Sequence, residues 1–110
     1  MARESRAGYN FSPDLKAKVR REQKNRCKLT GKREYLEIHH MLGIALARGY
    51  FPTADPQIFT QRENAVGLTV EIHKQLHEEM LRWPPEFTKV FVIGMYKYLR
   101  DIYKGKQAGV

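Results

Sequence analysis

The histidines of this chain fall into two pairs whose spacing could support metal or acid–base chemistry. Four histidines occur among the 110 residues. His39 and His40 are adjacent, whereas His73 and His77 lie four positions apart and, on a helix, share one face about a turn apart. Two imidazoles at that spacing can bind one metal ion, and the adjacent pair strengthens this interpretation. The alternative is that the histidines are exposed or hydrogen-bonded for structural reasons alone.

The adjacent pair ends a predicted strand, which covers residues 33–39. Alternation places Leu36 and Ile38 toward the core and leaves Glu37 and His39 on the opposite face. Neighbouring strand residues point to opposite faces, so His39 and His40 cannot both enter one site inside a regular strand. We therefore expect the strand to end at His39 and His40 to turn back toward the metal.

The second pair lies on a predicted helix. Residues 65–70 form a short apolar run that is typical of a second strand, and Thr69 can cap a helix that continues to Arg82. Apolar residues at helical spacing give that helix one packing face. They are Ile72, Leu76 and Met80.

Further elements are predicted on both sides of these segments. Ser12 and Pro13 indicate the start of a helix over 13–25, and Gly31 indicates a tight turn within 27–32. Residues 41–63 form a long mixed connection with a possible short helix at 44–48. Residues 86–104 predict an amphipathic helix that closes the core with Phe87, Val90, Phe91, Met95, Tyr98, Leu99 and Ile102. The fold class is therefore α+β, in a single domain over 1–110.

The excess positive charge is confined to the first third of the chain. Residues 1–33 contain 11 Lys and Arg against 3 Asp and Glu, whereas residues 34–110 contain 9 of each. An isoelectric point near 9.8 favours an anionic polymer as partner, although a basic run is often only a solvated helix face. The candidate phosphate contacts on the first helix are Lys16, Lys18, Arg20 and Arg21.

Several protein classes are excluded by composition. Cys27 is the single cysteine, which argues against a disulfide-stabilised secreted domain. The first residues lack the apolar core of a signal peptide, and the longest apolar run, 90–96, is far shorter than the roughly 20 residues of a membrane span. We therefore expect a cytoplasmic protein with no membrane partner.

The order of the histidines with Asn64 between them makes the pattern more specific. The pattern resembles the HNH (ββα-metal, His-Me finger) endonuclease motif. That motif has the order His-His, Asn, His-x3-His across a strand, a loop, a second strand and a helix. The resemblance covers about residues 27–80 and is strongest to the nuclease domains of DNA-degrading bacteriocins, which read Arg-x3-Glu-x-His-His. Arg33 and Glu37 stand at the first two of those positions.

The resemblance implies a fold, a reaction and residue roles. The fold would be a small ββα-metal core of a two-stranded antiparallel hairpin plus a helix, flanked by the basic and the C-terminal helices. The reaction would be hydrolysis of DNA phosphodiester bonds with the help of one divalent ion (Mg, Mn, Ni or Zn). The basic first third of the chain adds the expectation that contacts go to the phosphate backbone and that sequence preference is weak. His39, His73 and His77 would hold the ion, His40 would be the general base and Asn64 would orient His40 or its loop. Arg33 would contact phosphate, held by Glu37, unless the two form only a surface ion pair.

The chain departs from many HNH proteins in lacking a second, structural zinc site. The four thiolate positions are occupied by Cys27, Thr30, Thr69 and Ile72, so we expect no structural zinc and a buried, apolar role for Cys27. One alternative is a noncatalytic zinc-containing nucleic-acid-binding module, which requires His40 as the fourth ligand. Another is a hydrolase of small substrates, which leaves the basic segment unexplained. By analogy, an intracellular protein of this length resembles enzymes of phages, mobile elements and restriction systems.

Overall fold

A two-stranded antiparallel hairpin lies at the centre of the fold. A computed structural model describes residues 8–109. Strand β1 is Leu36–His40 and strand β2 is Ala65–Thr69, with Leu36 opposite Thr69 and His40 opposite Ala65. The prediction that the strand ends at His39 is wrong, because His40 remains paired. The ladder is extended by a hydrogen bond from the Met41 N–H to the Asn64 carbonyl at 2.9 Å.

Within residues 8–109, four α-helices and two short 3₁₀ helices surround the hairpin. The Ser12 hydroxyl caps the first α-helix by accepting the Leu15 N–H at 3.1 Å. That helix ends at Glu22, three residues before the predicted end, because Lys24 and Asn25 adopt left-handed backbone angles (φ 55° and 57°). The α-helices are α1 (Pro13–Glu22), α2 (Ile44–Tyr50), α3 (Val70–Met80) and α4 (Pro85–Ala108), and the 3₁₀ helices are Pro56–Thr60 and Arg62–Asn64.

The two faces of the hairpin are covered by different helices. Helix α1 packs on the face that carries Ile38 and Ala65, where Phe11 and Val19 are buried against them. Helix α3 packs on the opposite face, which carries Leu68. Adjacent residues of β1 therefore meet different helices.

The largest core lies beside the hairpin, and most of its buried residues come from residues 41–63, the segment predicted as a mixed connection. Tyr9 and Phe59 stack there with ring centroids 5.9 Å apart, and helix α4 covers them. Helix α4 buries Val92 and Leu99, whereas three residues of the predicted core-closing stripe are exposed. The buried core residues are Tyr9, Leu42, Ile44, Ala47, Ile58, Phe59, Val92 and Leu99, and the exposed stripe residues are Phe87, Val90 and Tyr98.

The turn that contains Cys27 has the predicted geometry. Gly31 has a φ of 73°, and its N–H donates to the Cys27 carbonyl at 2.8 Å. Cys27 is buried, with its sulfur 4.0 Å from the Thr69 hydroxyl. Burial alone would raise the pKa of the Cys27 thiol, but hydrogen bonds from Thr30 and from the backbone at Thr69, Thr30 and Leu29 lower it to about 7. Among residues 8–109, no helix is long and apolar enough to cross a bilayer.

Candidate metal centre

Three of the four histidines converge where β1 faces α3. Nδ1 of His39 lies 3.1 Å from Nε2 of His73, which lies 3.1 Å from Nε2 of His77. One ring nitrogen from each residue falls within 4.8 Å of the other two. His73 and His77 follow one another by one helical turn on α3, and His39 faces them because alternation in β1 directs it to that side.

Glu37 orients the middle histidine of this cluster. Its Oε1 lies 2.8 Å from Nδ1 of His73, so Nδ1–H donates to the carboxylate. The other nitrogen of His73, Nε2, then carries a lone pair directed at His39 and His77. A carboxylate behind a metal-binding imidazole fixes its tautomer and raises its basicity.

The surroundings of His39 and His77 favour the neutral form of both imidazoles. Burial, followed by the neighbouring charges of His73, His77 and His40, lowers the pKa of His39 from 6.5 to about 4. Burial and His73 also lower the pKa of His77. A metal ion binds the neutral form of imidazole, so these shifts favour binding near neutral pH.

Two of the three nitrogen separations are close to those expected around a divalent metal ion. Tetrahedral nitrogen ligands about 2.0–2.1 Å from zinc lie about 3.3 Å apart, close to the two separations of 3.1 Å found here. Within residues 8–109, this is the one group of three or more His, Cys, Asp or Glu side chains placed to hold an ion. Three imidazole ligands leave a coordination position for water or substrate, as in catalytic rather than structural sites.

His40 lies outside the cluster, on the α1 face of β1. Its Nε2–H donates to the Tyr9 carbonyl at 2.7 Å, and its ring stacks on Phe11 with centroids 3.9 Å apart and planes 11° apart. The ring orientation is therefore set by residues that precede α1. His40 and the three clustered histidines nevertheless line one groove of about 750 Å³, which we call the histidine groove.

Asn64 is fully buried at the base of the loop that joins the two strands. Its Oδ1 accepts the Leu42 N–H at 2.7 Å, and its Nδ2 donates to the carbonyls of Leu42 at 3.1 Å and Phe59 at 2.9 Å. Leu42 is two residues beyond His40. Asn64 thus stabilises the loop that follows His40, and none of these three hydrogen bonds is to the His40 imidazole.

The predicted pairing of Arg33 with Glu37 does not occur in the structure. Arg33 is exposed and belongs to an isolated bridge with Arg26, whereas Glu37 bonds His73. In the described part of the chain, from 8 to 109, no ion pair involves Arg33. The physical reason is that β1 begins at Leu36, so Arg33 lies outside the strand whose alternation would have aligned it with Glu37.

The four basic residues of α1 divide into two groups. Arg20 is partly buried, donates from Nε to the Leu36 carbonyl at 3.1 Å and lies over the Tyr35 ring. This hydrogen bond of Arg20 therefore joins α1 to β1. Lys18 and Arg21 are exposed and Lys16 is partly exposed, as a phosphate contact requires.

Sequence reasoning missed the residues that hold the histidines in place. Tyr9 and Phe11 contact His40 through a backbone carbonyl and a stacked ring, and neither has a sequence signal that links it to a residue about thirty positions later. The bond between Glu37 and His73 was open to prediction, because Glu37 and His39 share one face of the strand.

No protein-family model matches this chain, and neither a curated protein nor a solved structure matches it.

Proposed function

We propose that this protein is a metal-dependent DNA endonuclease of the HNH type. Its single divalent ion is held by His39, His73 and His77, and His40 is the general base. The observation that carries the proposal is the convergence of three imidazole nitrogens in a groove that His40 also lines. The antiparallel pairing of β1 with β2, and the position of α3 directly after β2, support this proposal, although α2 and two 3₁₀ helices lie between the strands.

The reaction needs a proton acceptor beside the scissile phosphate. His40 accepts a proton from the attacking water, whose oxygen forms a bond to phosphorus as the bond to the 3′ oxygen breaks. Nε2–H of His40 donates to the Tyr9 carbonyl, so this hydrogen bond and the stacked Phe11 ring hold the imidazole at the groove. Acid–base catalysis of this kind contributes roughly 10²–10⁴-fold to the rate.

The ion would supply Lewis-acid polarisation of the phosphoryl group and stabilisation of the leaving oxygen. The protein's own part is to present three imidazole nitrogens to the ion. Glu37 holds His73 in the tautomer whose Nε2 faces the cluster, and burial lowers the pKa of His39. Nitrogen ligands favour Zn, Ni or Mn in binding strength over Mg, although binding strength does not decide which ion supports turnover.

The charge distribution supports DNA as the substrate. The exposed cations of α1 lie on the helix that covers one face of the hairpin, and residues 34–110 contain equal numbers of basic and acidic residues. Contacts of this kind reach phosphates rather than base edges, so sequence preference should be weak and binding should depend on salt.

The geometry of His40 argues against the noncatalytic zinc module. That alternative needs four protein ligands, but Nε2 of His40 is bonded to the Tyr9 carbonyl and the ring lies outside the three-histidine cluster. A hydrolase of small substrates would not need the basic helix.

The decisive experiment is cleavage of supercoiled plasmid with Mg²⁺, Mn²⁺, Ni²⁺ and Zn²⁺ supplied in turn, with EDTA as the blank. We expect nicked or linear DNA with at least one ion. His40→Ala should abolish cleavage while it preserves metal binding, whereas His73→Ala should also weaken metal binding. A protein that binds metal and DNA but cuts with none of the four ions would instead be a binding module. Cleavage by His40→Ala at the wild-type rate would refute the base assignment.

A further inference from the structure

A second, strongly apolar cavity of about 600 Å³ adjoins the metal centre. We call it the apolar cavity. Its walls are half-exposed side chains from β2, α3, the turn after α3, and α4. They include Val66, Leu76, Met80, Trp83 and Phe91. Large apolar side chains that remain half-exposed around a concavity are typical of ligand sites.

The apolar cavity and the histidine groove share three wall residues. These are His39, Met80 and Trp83. A ligand in the apolar cavity therefore contacts the same imidazole that belongs to the metal cluster. When one group of a substrate is held at the histidines, the neighbouring part of that substrate would lie in the apolar cavity.

The charges on the rim leave one cation available to an anionic ligand. Glu22 on the rim is bound to Arg62 at 2.7 Å, and Glu63 is bound to Lys106 at 2.9 Å. Lys28 is exposed, and within residues 8–109 its side chain forms no ion pair. The rim thus offers a positive charge beside apolar walls, which matches the phosphate and the base of a nucleotide.

We propose that the apolar cavity receives an unpaired nucleobase next to the phosphate held at the three histidines, so that the protein prefers single-stranded or locally unpaired DNA. The inference rests on the proposed nuclease function and names its substrate class. Trp83 and Phe91 meet edge to face, with ring centroids 5.4 Å apart, and provide aromatic surface for the base. Because few polar groups line the cavity, the base would be held by stacking and apolar contact without selection for its identity.

Trp83 is the single tryptophan of the chain and is itself the probe for this site. The full-length His40→Ala protein, loaded with Zn²⁺, would be titrated with a single strand of about twelve nucleotides, an abasic strand of equal length and charge, and a duplex. We expect the base-containing strand to change Trp83 emission and to bind roughly tenfold more tightly than the abasic strand. The duplex should leave the emission nearly unchanged.

Two matched variants test whether strand binding depends on a ring that lines the apolar cavity or on a ring outside it. The rings of Phe91 and Phe87 both lie edge to face with Trp83, but only Phe91 lines the cavity. Phe91→Leu should weaken binding of the base-containing strand several-fold and leave the abasic strand unaffected. Phe87→Leu should behave as wild type with both strands.

Failure of the inference and failure of the nuclease proposal are distinguishable. Equal affinity for the abasic and base-containing strands, or strand binding with no change in Trp83 emission, would overturn the inference and assign the cavity to another apolar ligand, even if plasmid is cleaved. A base-dependent change in Trp83 emission would support it, even if no ion supports cleavage.

Discussion

At the residue scale, two adjacent imidazoles have different surroundings because they are adjacent in a strand. His39 is buried among His73 and His77, whereas His40 is half-buried between Tyr9 and Phe11. Burial beside His73 and His77 lowers the pKa of His39, whereas the contacts with Tyr9 and Phe11 fix the ring orientation of His40. Separation across the strand thus assigns the metal-ligand and base roles in the proposed mechanism.

Glu37 should control metal affinity through His73. Glu37→Gln replaces the carboxylate that accepts the Nδ1–H of His73, so we expect metal affinity to fall by roughly 10–100-fold without unfolding. Competition with a chelating dye measures the affinity. Glu34→Gln is the matched control, because Glu34 is exposed and pairs with Lys32. Equal affinity of Glu37→Gln and wild-type protein for Zn²⁺ would contradict this role.

The stability of the metal-free protein should fall with acid. The folded-state pKa of His39 is about 4 and lies below the ordinary value of 6.5, so between these values the unfolded chain binds more protons. The free energy of unfolding therefore decreases as the pH falls from about 6.5 to about 4, by at most about 1.4 kcal/mol per pH unit for this group.

Urea unfolding in EDTA at several pH values tests this dependence. His39→Asn, which cannot titrate, should show a shallower loss of stability in acid than the wild type. An identical pH dependence in the two proteins would rule out His39 as the source.

At the scale of elements, one side chain ties helix α1 to the edge of strand β2. Gln23 donates to the Gly67 carbonyl at 2.9 Å and accepts the Gly67 N–H at 2.8 Å, which is the pairing that another strand would provide. A Cβ at Gly67 would lie 3.0 Å from Nε2 of Gln23 and 3.0 Å from Cδ1 of Leu36. The close approach of Gln23 and Leu36 thus favours glycine at this position.

Asn64 should stabilise the loop between the strands more than any exposed asparagine does. Asn64→Ala leaves the Leu42 N–H and the carbonyls of Leu42 and Phe59 without partners in a buried site. We expect the free energy of unfolding to fall by about 3 kcal/mol or more, because each of the three unpaired buried groups costs about 1–3 kcal/mol. Urea unfolding measures the change, with exposed Asn10→Ala as the control. A loss below about 0.5 kcal/mol would show that water satisfies these groups.

At the scale of the whole molecule, the exposed cations of α1 should govern DNA affinity independently of the metal. Changing Lys16, Lys18 and Arg21 together to Gln should raise the apparent KM for DNA and reduce its salt dependence, since each lost phosphate contact lowers the slope by about 0.9. Zn²⁺ affinity should not change. Arg20 is left intact because it bonds the Leu36 carbonyl and its loss would weaken the fold.

The control for this prediction removes the same charge from the other end of the chain. Lys89, Lys97 and Lys104 are exposed on α4, and their replacement by Gln should leave the KM and its salt dependence close to wild type. If both triple variants lose DNA affinity equally, net charge rather than the position of α1 determines binding.

The sequence alone predicted the two strands and the main helices, although not all of their ends, and the resemblance to the HNH motif singled out His39, His73 and His77. Helical spacing placed His73 and His77 on one face of a helix, and strand alternation placed His39 and His40 on opposite faces of a strand. Both placements follow from local backbone geometry. The hairpin, the helix after it and the long C-terminal helix were predicted for the same reason.

Contacts between distant segments were decided only by the tertiary structure. These contacts join residues that are 5 to 31 positions apart and have no shared periodicity. They are the hydrogen bond between His40 and the Tyr9 carbonyl, the three hydrogen bonds of Asn64, and the hydrogen bond from Arg20 to β1. The apolar cavity arises likewise, because it depends on how α3 and α4 leave Trp83 and Phe91 half-covered. Such contacts depend on the packing of whole elements, which local patterns do not specify.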